Sequence, residues 1–551
     1  MSKNISRRSF VGAGSLAALT AALAACGGSS DSGSGDAASG EPKELNVFSS
    51  IAPAVLDPQN DSNSDDDEIF LPLGEGLFRY DSDGTSLVNG VCESYAASDD
   101  GLTYTFTLGE SKWSDGSNVV AGDFAYAAQR LFDPATASEN AYGYLSYIKG
   151  AAEFYGGEGS ADGLGVVAKD DKTLEVTLAS VLPENVVKGL FATSAFFPEN
   201  QKAIEEGGDG WSTDPEHHLS NGPYKLSEFN PDESVVIVRN DAYVGNASAV
   251  PDTITYHLYA DASAANAAMS NGELDYYKYA PTDLIAQIGD KADLVNSETI
   301  GTASLHFNWN CKPLDDVRVR QAIFLAIDAG YVNSILEDGN AVESTGLLGE
   351  KYPDPAGGSF RTADNALIEP YSDAALEQAK QLLADAGYPN GEGMPKLVYL
   401  TSNSTRGTAR GEFFQALLKD QLGIPVEVGA YDIPTYLSML SGSDWAFSYI
   451  AVAPTVPNPL ETLASYITDA AQYGISIPEY DELYAQVTAE PDAQKQSELM
   501  HQMEEILIKE QFAFRPVLDT YNLTLYGKDT TDRATNPIGN ALHNYLSKTS
   551  W

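Results

Sequence analysis

The chain has 551 residues and carries 79 Asp and Glu against 32 Lys and Arg, a formal charge of −47. A field of that sign repels nucleic acid and anionic lipid, and 43% hydrophobic content with 30 Tyr and 20 Phe excludes a disordered acidic tail. The length exceeds what one hydrophobic core supports and predicts several lobes.

The first forty residues read as an export and tethering segment. Lys3 and Ser6-Arg7-Arg8-Ser9-Phe10 precede a small and apolar run from Val11 to Ala25, the layout of an export signal over residues 1–25. The paired arginines followed by Ser-Phe match the twin-arginine type, with a general secretory signal as the alternative. The run is too short and too rich in Ala and Gly to span a bilayer. Leu23-Ala24-Ala25-Cys26 has the pattern of a bacterial lipobox, which makes Cys26 the candidate lipidation site; two acyl chains anchor durably where one binds only marginally. Residues 26–41, almost all Gly, Ser, Asp and Ala, form a flexible tether. The expected location is the extracytoplasmic face of the bacterial cell membrane, or the periplasmic side, with the lipid as the only membrane contact. Beyond Cys26 only Cys92 and Cys311 remain; one disulfide and two separate thiols both fit.

The body alternates strand and helix signals. Leu45–Ser49, Thr103–Leu108, Thr173–Leu178, Val235–Arg239, Thr253–Tyr259, Ala303–Trp309 and Lys396–Thr401 are rich in Val, Thr, Tyr and Phe between turn residues. Helices are predicted at Asp123–Leu131, at Val317–Ala329 behind the acidic Asp315-Asp316, at Ala374–Ala386 before Gly387 and Pro389, and at Gln494–Lys509. The mixture predicts α/β lobes rather than a sandwich or bundle.

Three blocks carry a resemblance. Gly101-Leu-Thr-Tyr-Thr-Phe-Thr-Leu runs through Lys112-Trp-Ser-Asp-Gly116 to Ala121-Gly-Asp-Phe-Ala-Tyr-Ala-Ala-Gln-Arg-Leu-Phe-Asp-Pro134; the others are Ser220-Asn-Gly-Pro-Tyr-Lys-Leu226 and Pro313-Leu-Asp-Asp-Val-Arg-Val-Arg-Gln-Ala-Ile-Phe-Leu-Ala-Ile-Asp328. Together they resemble the family-5 extracellular solute-binding proteins, the oligopeptide- and dipeptide-binding type. The resemblance implies an α/β, periplasmic-binding-protein-like type II fold of two lobes with an additional inserted domain. It divides the chain into lobe I (42–80, 215–303 and 518–551), the insertion (81–214) and lobe II (304–517), with crossovers near Thr302–Trp309 and Phe514–Leu523. It further implies a monomer without cofactor or enzymatic activity that holds a peptide or other small solute between the lobes and delivers it to ABC permease subunits. Hinge closure would let the permease distinguish the loaded form.

In the peptide-binding members a cleft strand carries an Asp four residues before a Pro, and that Asp meets the peptide's ammonium. The matching stretch here is Phe447-Ser-Tyr-Ile-Ala-Val-Ala-Pro-Thr455-Val-Pro-Asn-Pro459, with Thr455 at the Asp position and Val452 where an aromatic often lies. A hydroxyl accepts a hydrogen bond but cannot neutralise a buried ammonium. Asp57, Asp66 or Asp444 is the alternative counter-charge; otherwise the ligand is a non-peptide solute. Val452, Ala453, Thr455, Tyr142 on the insertion, and Phe307, Asn308 and Trp309 on the first crossover complete the expected ligand contacts, with core packing as the competing reading of the aromatics.

Other patterns carry less. Asp61-Ser-Asn-Ser-Asp65 opens like a calcium loop, but Asp66 stands where Gly is needed and Pro72 where Glu is needed, so a solvated acidic loop is expected. His217-His218 is adjacent rather than spaced for one helix face and is expected at the surface, with no metal. No G-x-S-x-G, HExxH or P-loop pattern supports the remaining class, a lipid-anchored envelope hydrolase.

Overall fold

The computed structural model describes residues 42–49, 55–61, 63, 65–138, 140–259, 261–470 and 473–551. The expected export signal, Cys26 and the tether lie outside the described residues. No described helix is long and apolar enough to cross a membrane.

One large mixed sheet organises residues 42–551. Its strand order begins Val426–Tyr431, Leu397–Ser402, Phe447–Val452, then the long Ala292–Phe307 and Phe514–Gly527, and continues Tyr276–Lys278, Glu44–Ser49, Thr253–Leu258, Ser234–Arg239 and Tyr224–Asn230. The two long strands pair antiparallel and join the halves of the sheet: Thr302–Phe307 pairs Phe447–Val452 on one side, while Thr524–Tyr526 pairs Tyr276–Lys278 on the other. Each side buries its own core, one around Leu305, Phe307, Phe414 and Phe447 and the other around Leu45, Val47, Tyr224 and Tyr256. Residues 92–177 build a separate antiparallel sheet of Cys92–Ala97, Thr103–Leu108, Thr173–Thr177 and Val166–Ala168. Its inward Tyr104, Phe106 and Leu108 pack with Trp113, Phe124 and Phe191, the period-two pattern legible in the sequence.

The ladder between the long strands shifts register twice: once between Ala303 and Ser304, which skips Val517, and more widely just before it. Glu298 faces Tyr521 and Thr302 faces Asp519, so three residues, Thr299 to Gly301, oppose Thr520 alone. Gly301 has φ +149°, and a Cβ there would lie 2.8 Å from Thr520 Oγ1 and 2.9 Å from the Val452 carbonyl oxygen. Only glycine fits this bulge.

The helices largely follow their caps. Asp316 accepts from the Arg318 amide and Ser372 from the Ala375 amide, starting helices at Val317 and Asp373. The predicted helix Val317–Ala329 stops at Ala326 instead, because Asp328 caps a second helix, Ala329–Leu336, by accepting from the Tyr331 amide. The helix expected at Gln494–Lys509 is regular over Ala493–Glu505 and ends in a widened turn, Ile506–Glu510. Cys92 is buried, Cys311 is half-buried, and both are free thiols.

Candidate ligand cavity

A cavity of about 430 Å³ opens where the long strands break their ladder. Thr299, Ile300, Thr520 and Asn522 form its floor. Asp61, Asn63, Asp67 and Leu71 form one wall, Ala453, Pro454, Thr455 and Pro457 another, and Asn140, Gly143, Tyr144, Thr193 and Ser194 close it from the third side. Its volume lies in the range of small-molecule sites, and no described Lys, Arg or His lines it.

The 453–457 wall is held from behind. The amides of Thr455 and Val456 donate to the Glu461 carboxylate at 2.6 and 3.2 Å, and the Tyr147 hydroxyl donates to the same group. Burial pushes the Glu461 carboxyl up, opposed by these donors. Gly143 approaches this turn so closely that a Cβ would meet the Thr455 side chain at 2.8 Å. Thr455 and Ala453 line the cavity. Val452 is half-buried in the strand just before it, opposite Thr302, and is not among the lining residues.

The acidic wall corrects the reading of Asp61–Asp65 as a solvated loop. Asp61 accepts from the Asn63 amide at 2.8 Å, and Asn63 donates its side-chain amide to Asp66 at 3.0 Å. Asp67 accepts from the hydroxyl of buried Ser194 and, at 3.3 Å, from the side chain of Asn540. Asp66 is buried and rises to about 8, through burial first and then the neighbouring Asp61 charge; Asp67 rises to about 6, chiefly through burial. Asp61 rises for the same first reason. The one described Lys or Arg at this cluster, Lys278, is taken by Asp65 at 2.8 Å and Glu68 at 3.2 Å. Tyr279 leans over the same loop, its hydroxyl 3.1 Å from Asp65, at φ +55°, rare for a bulky residue.

Several expected contacts lie elsewhere. Asp57 is buried against Arg130, which donates to both its oxygens at 3.2 and 2.6 Å and also pairs with Glu199, so its charge is already neutralised. Asp66 sits behind Asp61 and Asp67 rather than in the lining. Asp444 is exposed on the loop leading into Phe447–Val452, at the opposite end of that strand from Ala453. Tyr142 points outward, 69% exposed against Tyr155, while its neighbours Asn140 and Gly143 line the cavity. Phe307 packs on Phe447 in the core, and Asn308 donates to the Gly442 carbonyl. Trp309 stacks under Arg320 at 3.7 Å. Core packing is the reading that holds for these three, because the long strand meets the cavity at Thr299–Ile300 and is already inside a lobe by Phe307. His218, expected at the surface, is buried beside Trp211, and burial pulls it down to about 4. Among the described residues no group of acids, His and Cys is arranged to hold a metal.

The residues missed in the sequence are Asp61, Asn63, Asp67, Tyr279 and Glu461. Only the first three left a signal, a dense run of short polar side chains leading into the helix Asp67–Leu73.

The profile of the bacterial extracellular solute-binding proteins, family 5, matches residues 86–474. The periplasmic oligopeptide-binding protein OppA of Salmonella typhimurium is 30% identical over 550 residues, 96% of this chain and 97% of its own. The dipeptide-binding protein DppE of Bacillus subtilis is 29% identical over 88% of this chain and 87% of its own. Among solved structures, the murein tripeptide-binding protein MppA in its unliganded open form superposes with a TM-score of 0.78 at 26% identity, covering 92% of this chain and 98% of that one.

Proposed function

This chain belongs to the bacterial extracellular solute-binding proteins of family 5, and we propose that it captures peptides in the cavity at the strand break and delivers them to an ABC importer. It is a binding component rather than an enzyme. The observation that carries the peptide reading is the cavity itself: two carboxylates, Asp61 and Asp67, line a space that no described Lys, Arg or His enters. Thr455 lacks the charge an ammonium requires, and these two supply it from the facing wall. OppA and DppE, similar over nearly the whole chain, are named for oligopeptide and dipeptide binding.

On this reading lobe I comprises residues 42–80, 215–303 and 518–551, the insertion 81–214, and lobe II 304–517. The lobes close on the ligand about Thr299–Gly301. The monomer is held outside the membrane by a lipid on Cys26, the tether leaving the lobes free to turn. Replacing Cys26→Ala is expected to move the protein from the membrane pellet to the soluble fraction and abolish its labelling by radioactive palmitate; unchanged labelling would remove the anchor from the proposal. For the ligand, the full chain is stripped by unfolding and refolding, then titrated with a mixed tripeptide library and analysed by native mass spectrometry and thermal shift. Retained peptide masses with a raised melting point are expected. No retained mass and no shift would sink the peptide reading.

A further inference from the structure

The charges around the cavity do not balance. Asp61, Asp65, Asp66, Asp67 and Glu68 converge within eight residues, and Lys278, their one cation, is bound to Asp65 and Glu68. Asp61, Asp66 and Asp67 have no described Lys or Arg within ion-pair distance, although Asp66 is buried and Asp61 and Asp67 are half-buried. The acidity of the chain as a whole does not account for this, since carboxylates on an open surface are solvated, whereas Asp61 and Asp67 are drawn partly out of water beside Asp66, which keeps its proton, and an uncompensated charge there is costly. The imbalance extends outward. A second cavity of about 1,200 Å³ shares Tyr80, Pro457 and Asn536 with the first, and its described lining carries five acids against Lys188, Lys351 and Arg533.

A simple peptide brings one positive charge to its buried end, the α-ammonium. The inner wall presents two carboxylates, and Thr455 on the facing side adds no charge of its own. We infer that the ligand is cationic at its buried end beyond the α-ammonium, a dicationic group seated against Asp61 and Asp67. In a peptide this is the α-ammonium together with the basic side chain of the first or second residue; the same chemistry in a free polyamine is the other source. The acids lining the outer cavity disfavour a ligand whose trailing portion is acidic. This inference rests on the solute-capture reading of the same cavity.

Isothermal titration of the stripped full chain separates the possibilities, with Lys-Ala-Ala, Ala-Ala-Ala, Glu-Ala-Ala and spermidine as probes. Lys-Ala-Ala is expected to bind at least tenfold tighter than Ala-Ala-Ala, with Glu-Ala-Ala weaker than both. Asp61→Asn and Asp67→Asn, each close in size to the native side chain, are expected to cut the Lys-over-Ala preference to below threefold. A preference that survives both substitutions, or equal binding of Lys-Ala-Ala and Ala-Ala-Ala, overturns the dicationic inference and leaves peptide capture standing. Binding of spermidine with no tripeptide bound supports the dicationic site and overturns the peptide reading. Binding of none of the four overturns both.

Discussion

Glu504→Ala is expected to destabilise the protein by about 3–5 kcal/mol, the range for stripping one partner from a buried ion pair. Glu504 is completely buried. One carboxylate oxygen accepts the amides of Leu347 and Leu348 at 2.7 and 3.0 Å, and the other takes the Arg361 guanidinium. Arg361 in turn donates to the carbonyls of Leu348 and Asn365. Truncation therefore strands a buried guanidinium and two amides at once, while Gly346, where a Cβ would meet both charged groups at 2.6–2.7 Å, leaves no room for a substitute to fold in from the loop. For a body of this size a melting point lowered by roughly 3–5 °C is expected. The paired replacement Glu504→Leu with Arg361→Leu should cost less than the single truncation, because no charge is left uncompensated. A single variant that melts with the native protein would show that the pair is not closed in solution.

Stability of the empty protein is expected to fall as pH rises from about 6 to about 8. Asp66 rises to about 8, Glu75 to about 7, and Asp67 and Asp519 to about 6, in each case mainly through burial. Between the ordinary carboxyl value near 4 and its raised value, each holds a proton in the folded state that it has lost in the unfolded one; Asp67 and Asp519 have released theirs by about pH 6, so above it Glu75 and Asp66 act. Where the folded state binds more protons, raising the pH favours unfolding, by about 1.4 kcal/mol per pH unit for each group over the interval between its two values. The buried histidines His218 and His543, pulled down to about 4, and His306, pulled down to about 3, work in the opposite direction. Their contribution is nearly complete by pH 7, above the ordinary histidine value, so the carboxyls decide the slope. Thermal unfolding at pH 6 and 8 measures it. Asp66→Asn, which fixes the uncharged form, should flatten the part above pH 7; a slope unaltered by that change would mean that Asp66 does not hold its proton.

Much of the fold was legible because local rules and tertiary packing agree. Thr103–Leu108 alternates inward and outward as its sequence does, and Asp316 and Ser372 start helices as caps. Disagreement arose where one residue had two possible roles. Asp328 could continue a helical pattern or cap a new helix, and it caps. The long strand was recognised only at its apolar end; Asp293, Asn296, Ser297 and Glu298 hide the earlier half, which is a strand because Tyr521–Gly527 pairs with it. The cavity was less legible still. The turn at Ala453–Thr455 and the crossover residues Phe307 and Trp309 both come from the resemblance, but an aromatic at a strand junction serves a core equally well. Asp57 and Asp61 are four residues apart and look alike in sequence. One is answered by Arg130, seventy-three residues away, and the other faces the cavity. Only tertiary structure separates such a pair.

The paired long strands also bear on how the motion can be measured. Two strands hydrogen-bonded along their length resist sliding and shear, and the three residues left out of register, the wider of the ladder's two shifts, supply its most compliant line across the ribbon. The closure proposed for the lobes is then close to a rotation about that line, a single angular coordinate in place of six rigid-body ones. Open and closed populations could be followed with one pair of spectroscopic labels spanning it, and a solute would shift that one-dimensional distribution only by its difference in affinity for the two ends.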